Sequence, residues 1–156
     1  MTKLGVEAEV TALLAGMNAM GGYQLSLVCT DQGLLVASAG ETVRSEIAAG
    51  LTSLFDDIVV RAVRDLGVAD VDELTLSDAK EGRFVVRPLQ TEGSDRRLFL
   101  VAQVPRDASW RRNTNIVARK LVQILRPLLD APGEVRARAK TAAKKKKRSA
   151  KKGAAK

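Results

Sequence analysis

Apolar positions along the chain follow two rhythms, one recurring every three or four residues and one every second residue, and the switches between them mark out eight elements. Leu4, Val10, Leu13, Leu14, Met17 and Met20 fall at helical spacing and Gly21-Gly22 closes the segment, which predicts an amphipathic helix over 4–20. In QLSLVCT, Leu25, Leu27 and Cys29 alternate with Gln24, Ser26 and Thr30; DQG and the apolar run LLVAS follow. That is the pattern of a hairpin, with Gly33 in the left-handed position of a short loop. From Val43 to Leu66 there is no proline, and apolar residues recur at Ile47/Ala48, Leu51, Leu54/Phe55, Ile58/Val59, Ala62/Val63 and Leu66. The stripe is wider than one sheet contact requires, so a long helix covered from two directions is expected, ending at Gly67.

Three strands are predicted next, DELTLSD (72–78), RFVVRPL (83–89) and RLFLVAQV (97–104), separated by AKEG and QTEGSDR, each with a glycine for a turn. The first alternates, Leu74 and Leu76 against Glu73, Thr75 and Ser77, as an edge strand does. The last is apolar on both faces and reads as a central strand covered on both sides; Pro88 near the end of the middle one costs little there. A final helix is expected from Ser109, or from Asp107 as its cap, to Leu129. Trp110, Val117, Leu121, Ile124, Leu125 and Leu128 share one face of it, Arg111, Arg112, Arg119 and Arg126 fall largely off that face, and Pro127 is placed to kink it. APG at 131–133 then divides a folded body, 1–130, from a basic tail, 131–156.

The order helix, two strands, long helix, three strands, helix, with TDQGLLVAS in its first hairpin, resembles the roadblock/dynein light chain family. The resemblance spans roughly 4–129 and includes Asp31, Gly33, Leu34, Ala37 and Ser38 in a turn leading to a short apolar strand that ends in Ala-Ser. It implies an α+β, profilin-like αββαβββα fold: a five-stranded antiparallel sheet with the long helix on one face and both terminal helices on the other. It also implies a homodimer that joins third strands edge to edge and lays the long helices side by side, with Leu51, Phe55, Ile58, Val59, Leu74 and Leu76 at the interface. A small Ras-like GTPase, which some bacterial members regulate and some eukaryotic members scaffold, is the protein partner it implies.

Charge separates body from tail. From Glu134 onward there are eleven Lys or Arg and one acid, a net +10, so the total of +8 leaves residues 1–133 at −2. AKTAAKKKKRSAKKGAAK has no aromatic, no acid and no apolar residue larger than alanine, and cannot bury enough surface to offset the entropy of ordering. It resembles the lysine/alanine tails of linker histones and bacterial histone-like proteins. Such a chain neutralises phosphates by counterion release and reads no base. Lys140, Lys144, Lys145, Lys146, Lys147, Arg148, Lys151 and Lys152 are the expected contacts to nucleic acid or another polyanion, while the body at −2 is expected to take no part. A sequence-nonspecific nucleic-acid-binding protein that uses its body only for dimerisation is therefore the alternative to a roadblock regulator.

The candidate chemistry is thin. With no histidine there is no Ser-His or Cys-His pair, and the single Cys29 excludes an internal disulfide and a Cys/His zinc cluster. Asp56-Asp57 point about 100° apart on a helix and read as a solvated face rather than a catalytic dyad. AGMNAMGG lacks the Gly-Lys-Ser/Thr ending of a phosphate loop and follows no strand. Cys29 behaves as a small apolar group, and Trp110 as a core or lid residue. No catalytic residue, cofactor or metal is expected. No signal peptide or membrane span is legible, which with one cysteine places the protein in the cytoplasm, associated with the nucleoid if its polyanion is DNA.

Overall fold

The computed structural model describes residues 3–80, 82–89 and 96–130, and its eight elements follow the predicted order. They are α1 (Lys3–Gly21), β1 (Leu25–Thr30), β2 (Leu35–Ala39), α2 (Thr42–Leu66), β3 (Leu74–Ser77), β4 (Gly82–Leu89), β5 (Leu98–Pro105) and α3 (Arg111–Asp130). The strands form one antiparallel sheet in the order β2-β1-β5-β4-β3. β5 lies at its centre and β3 at an edge, as their apolar patterns require.

The alternation of β5 divides the interior in two. Leu98, Leu100, Ala102 and Val104 face one way, with Val28 of β1 and Val85 and Leu89 of β4, and are buried under Val10, Leu14 and Met17 of α1 and Val117, Leu121 and Leu125 of α3. Phe99 and Val101 face the other way, with Leu25, Leu27, Cys29 and Val86, under Ala48 and Ala49 of α2. Both terminal helices thus share one face and the long helix takes the other. Each fully buried Leu, Val or Phe contributes about 1.5–3 kcal/mol of transfer free energy.

Two elements differ from the sequence reading by more than one residue at an end. β3 keeps four ladder residues of the seven predicted, because Asp72 and Glu73 leave the ladder to bond Arg87 and the Trp110 indole, and the Asp78 N–H turns back to Gly82 O at 2.7 Å. α3 starts at Arg111, so Trp110 stands just outside it, its carbonyl accepting the Thr114 N–H at 2.8 Å.

The first hairpin is fastened to α2 through Gly33. Its φ is +80°, and a Cβ there would lie 3.0 Å from Ala49 O and 3.2 Å from Gly50 Cα, so the turn requires both the backbone freedom and the missing side chain. The close approach sets α2 over β1 and β2 and away from β3 and β4.

Candidate functional site

α2 meets the sheet through its small residues. Ser45, Ala48, Ala49 and Thr52 are buried. The two hydroxyls bond back to their own helix, Ser45 Oγ to Glu41 O and Thr52 Oγ1 to Ala48 O, both at 2.8 Å, so polar atoms enter the core satisfied. A helix seated on small side chains sits close to the strands and turns its large ones aside. Ile47, Leu51, Leu54 and Ile58 remain 60, 47, 62 and 49 % exposed. Their spacing of four, three and four residues is that of a helix–helix seam two heptads long.

Beside this seam lies the open edge. Leu76 on β3 is 55 % exposed and Leu74 half-buried, because α2 does not extend over the β3–β4 half of its face. The uncovered strip holds an apolar cavity of about 300 Å³ lined by Ile47, Leu51 and Phe55 of α2 and by Leu76, Phe84 and Val86 of the sheet. Arg44 closes one end, its guanidinium 5.9 Å from the Phe84 ring centroid.

Of the six residues assigned to an interface from the sequence, the structure brings Leu51, Phe55 and Leu76 around this cavity. Leu74 stands one step along the same face of β3, and Ile58 and Val59 lie farther down α2, Val59 half-buried. Sequence reasoning passed over Phe84 and Arg44, which gave no signal before the β3–β4 register was known, and Leu54 and Ile47 as exposed members of the seam. The tail residues Lys140, Lys144, Lys145, Lys146, Lys147, Arg148, Lys151 and Lys152 lie outside the described residues.

The other candidate side chains have structural occupations. Asp56 is not part of a solvated pair: its side chain is only 13 % exposed, Oδ2 accepts from Arg97 at 2.8 Å, and Oδ1 is buried without a partner. Burial raises its pKa above the ordinary carboxylate value, against the pull of Arg97 and with a further push from Asp31. Asp57 turns outward to Arg61 at 3.1 Å. Cys29 is buried on the α2 side, where desolvation lifts its thiol from 9.0 to about 11 despite the opposing influence of the neighbouring Thr52 side chain. Trp110 is half-buried, donates Nε1–H to Glu73 at 2.7 Å and carries the Arg83 guanidinium 4.5 Å above its ring. Arg87, buried below α3, donates to Thr114 Oγ1 at 3.0 Å, to Asn115 Oδ1 and to Asp72 at 2.9 Å. Among the described residues no group of His, Cys, Asp and Glu is placed to hold a metal ion, and no helix is long and apolar enough to cross a membrane.

No protein-family model matches the chain, and no curated protein matches it in sequence. Solved structures do match its fold. MglB of Myxococcus xanthus superposes with a TM-score of 0.67 at 15% identity, over 81% of this chain and 94% of that one. The gliding protein MglB of Thermus thermophilus gives 0.60 at 13% identity, over 76% and 90%. A Roadblock/LC7 domain from Streptomyces avermitilis gives 0.56 at 19% identity, over 78% and 98%. The architecture is the α+β roadblock fold, a five-stranded antiparallel sheet between one long helix and two terminal ones.

Proposed function

We propose that the chain is a non-enzymatic, dimeric roadblock regulatory or scaffold module that docks a small Ras-like GTPase and is tethered to nucleic acid by its polycationic tail. One observation carries the reading: the seam of Ile47, Leu51, Leu54 and Ile58 runs beside an open strand edge and an unfilled apolar cavity. Four large apolar side chains in register along one helix are costly in water at about 25 cal/mol per Å². A second copy supplies both missing halves, its own α2 for the seam and its own β3 for the unpaired ladder groups. Two-fold pairing of this kind makes a continuous sheet and puts two α2 helices together as one composite surface.

The GTPase is supported by the resemblance and by the likeness of fold to the MglB and Roadblock/LC7 structures. The regulatory rather than enzymatic reading is supported by the absence of histidine from the sequence. Light scattering on the full chain at micromolar concentration tests the dimer, and a mass of one chain rejects it. Mixing the chain with the small GTPase encoded nearest to it tests the partner. GTP turnover or nucleotide retention by that GTPase should change, and no complex and no change would reject the assignment.

A further inference from the structure

The net −2 of the body averages over two unlike surfaces. α3 carries Arg111, Arg112, Arg119, Lys120 and Arg126, and its only acid is its last residue, Asp130. Arg112, Arg119 and Arg126 recur at intervals of seven, which places them on one line along the helix about 10 Å apart, and all three are exposed. Among the described residues no ion pair reaches any of them. The carboxylates facing α3 across the neighbouring groove are already engaged, Asp72 by Arg87 at 2.9 Å and Glu73 by the Trp110 indole at 2.7 Å. Arg119 and Arg126 flank that groove, a channel of about 620 Å³ between β4 and α3, with Asn115 and Gln123 offering amide groups beside them. At the other end, Arg83 stacks over Trp110, and Arg111 stands 5.9 Å from the same ring.

Two of these cations are placed against the fold's own electrostatics. Arg111 and Arg112 open α3, where the positive end of the helix dipole disfavours a cation by about 0.3–1 kcal/mol, and no acid stands in the first turn to compensate. A line of arginines that no carboxylate among the described residues pairs, begun where a helix tolerates cations least, is a surface open to an anion.

We propose that the exposed face of α3, from Arg112 through Arg119 to Arg126, is a second nucleic-acid contact, lying along the phosphate backbone of a duplex. The body is then part of the binding surface, contrary to the expectation from its net charge. The choice of polyanion rests on the tail: α3 ends at Asp130, and the sequence runs on within a few residues into ten net positive charges, so a duplex held by the tail is delivered beside this face. The contact reads no base. Asn115 and Gln123 sit among the arginines as hydrogen-bond donors to phosphate oxygens, and Ile116, exposed on the same side, adds no stacking group.

The test uses the full chain and 20-bp DNA duplexes of two unrelated sequences, with affinity measured across a salt series. In Arg112→Gln/Arg119→Gln/Arg126→Gln the slope of log affinity against log salt should fall in magnitude by about 2.7, and affinity at 0.1 M salt by roughly 10²–10³-fold, equally for both sequences. Lys144→Gln/Lys145→Gln/Lys146→Gln/Lys147→Gln is measured in parallel. If only the α3 variant leaves slope and affinity unchanged, the α3 contact is wrong and the tail reading stands; if only the tail variant does, the reverse holds. Should the α3 variant not fold, NMR titration of the unsubstituted chain decides. Duplex-induced shifts of the Arg112, Arg119 and Arg126 side chains support the contact. Shifts confined to residues 131–156, or α3 shifts with poly-glutamate but not with duplex, overturn it.

Discussion

Cys29 and Gly82 show how single residues answer to the sheet around them. The thiol is buried between sheet and α2, and its pKa is raised to about 11 from 9.0, so the folded state holds the proton more tightly than the unfolded one. Stability from this group is intact below pH 9.0 and is lost as pH rises through about 11, a change of roughly 2–3 kcal/mol. Urea unfolding at pH 8 and pH 11 should show that loss in the native chain, and Cys29→Ala should remove this part of the pH dependence. At pH 8 the native thiol should also resist a thiol reagent until urea unfolds the chain. Gly82 opens β4 at φ +141°, and a Cβ there would run into the carbonyl oxygen of Val104 across the ladder. Gly82→Ala should therefore cost about 1–3 kcal/mol, read as a lowered urea midpoint. Gly33, Gly67 and the buried Cys29 were legible from local pattern alone. Asp56 was not, because its partner Arg97 is 41 residues distant and nothing within α2 announces it.

Among the elements, α2 carries the sharpest expectation. Leu54→Glu/Ile58→Glu should leave the far-ultraviolet circular dichroism and thermal transition of the protomer near their original values, while light scattering shows one chain instead of two. Leu121→Ala, on the buried face of α3, should do the opposite and cost about 2–5 kcal/mol with the self-association surface untouched. The contrast separates residues that hold the fold from apolar residues exposed on its surface. Much of this level was legible: β3 as an edge and β5 as the centre from their apolar patterns, and the sharing of the faces between one helix and two from the family resemblance. The width of the α2 stripe was also legible, but not which residues of it meet the sheet: periodicity marks large apolar positions, whereas here the small Ser45, Ala48, Ala49 and Thr52 are buried, their hydroxyls satisfied within the helix, and Leu51, Leu54 and Ile58 stay exposed. The basic line on α3 was likewise visible as arginines off the apolar face, but net charge concealed that their neighbours on the fold were carboxylates already in use.

For the whole molecule, a dimer would present two tails and two α3 faces to one polyanion. Dissociating it with Leu54→Glu/Ile58→Glu should weaken duplex binding by about 10²-fold or more through lost effective concentration, with no new preference among sequences; equal affinity for protomer and dimer would count against the coupling. The sheet order has a further consequence, for the course of folding. β5 pairs with β1 across some seventy residues and supplies side chains to both halves of the interior, Phe99 and Val101 to one and Leu100 and Ala102 to the other. Neither half can close before β5 arrives, so the barrier to folding contains a long loop closure and the rate should be governed by that contact rather than by its three helices. During synthesis, α1, the first hairpin and α2 are all made before the strand that will cover them. The α2 seam is therefore exposed while the sheet beneath it is still incomplete, and if the chain dimerises through that helix, a growing chain next to its twin has an early opportunity to pair before either has finished folding.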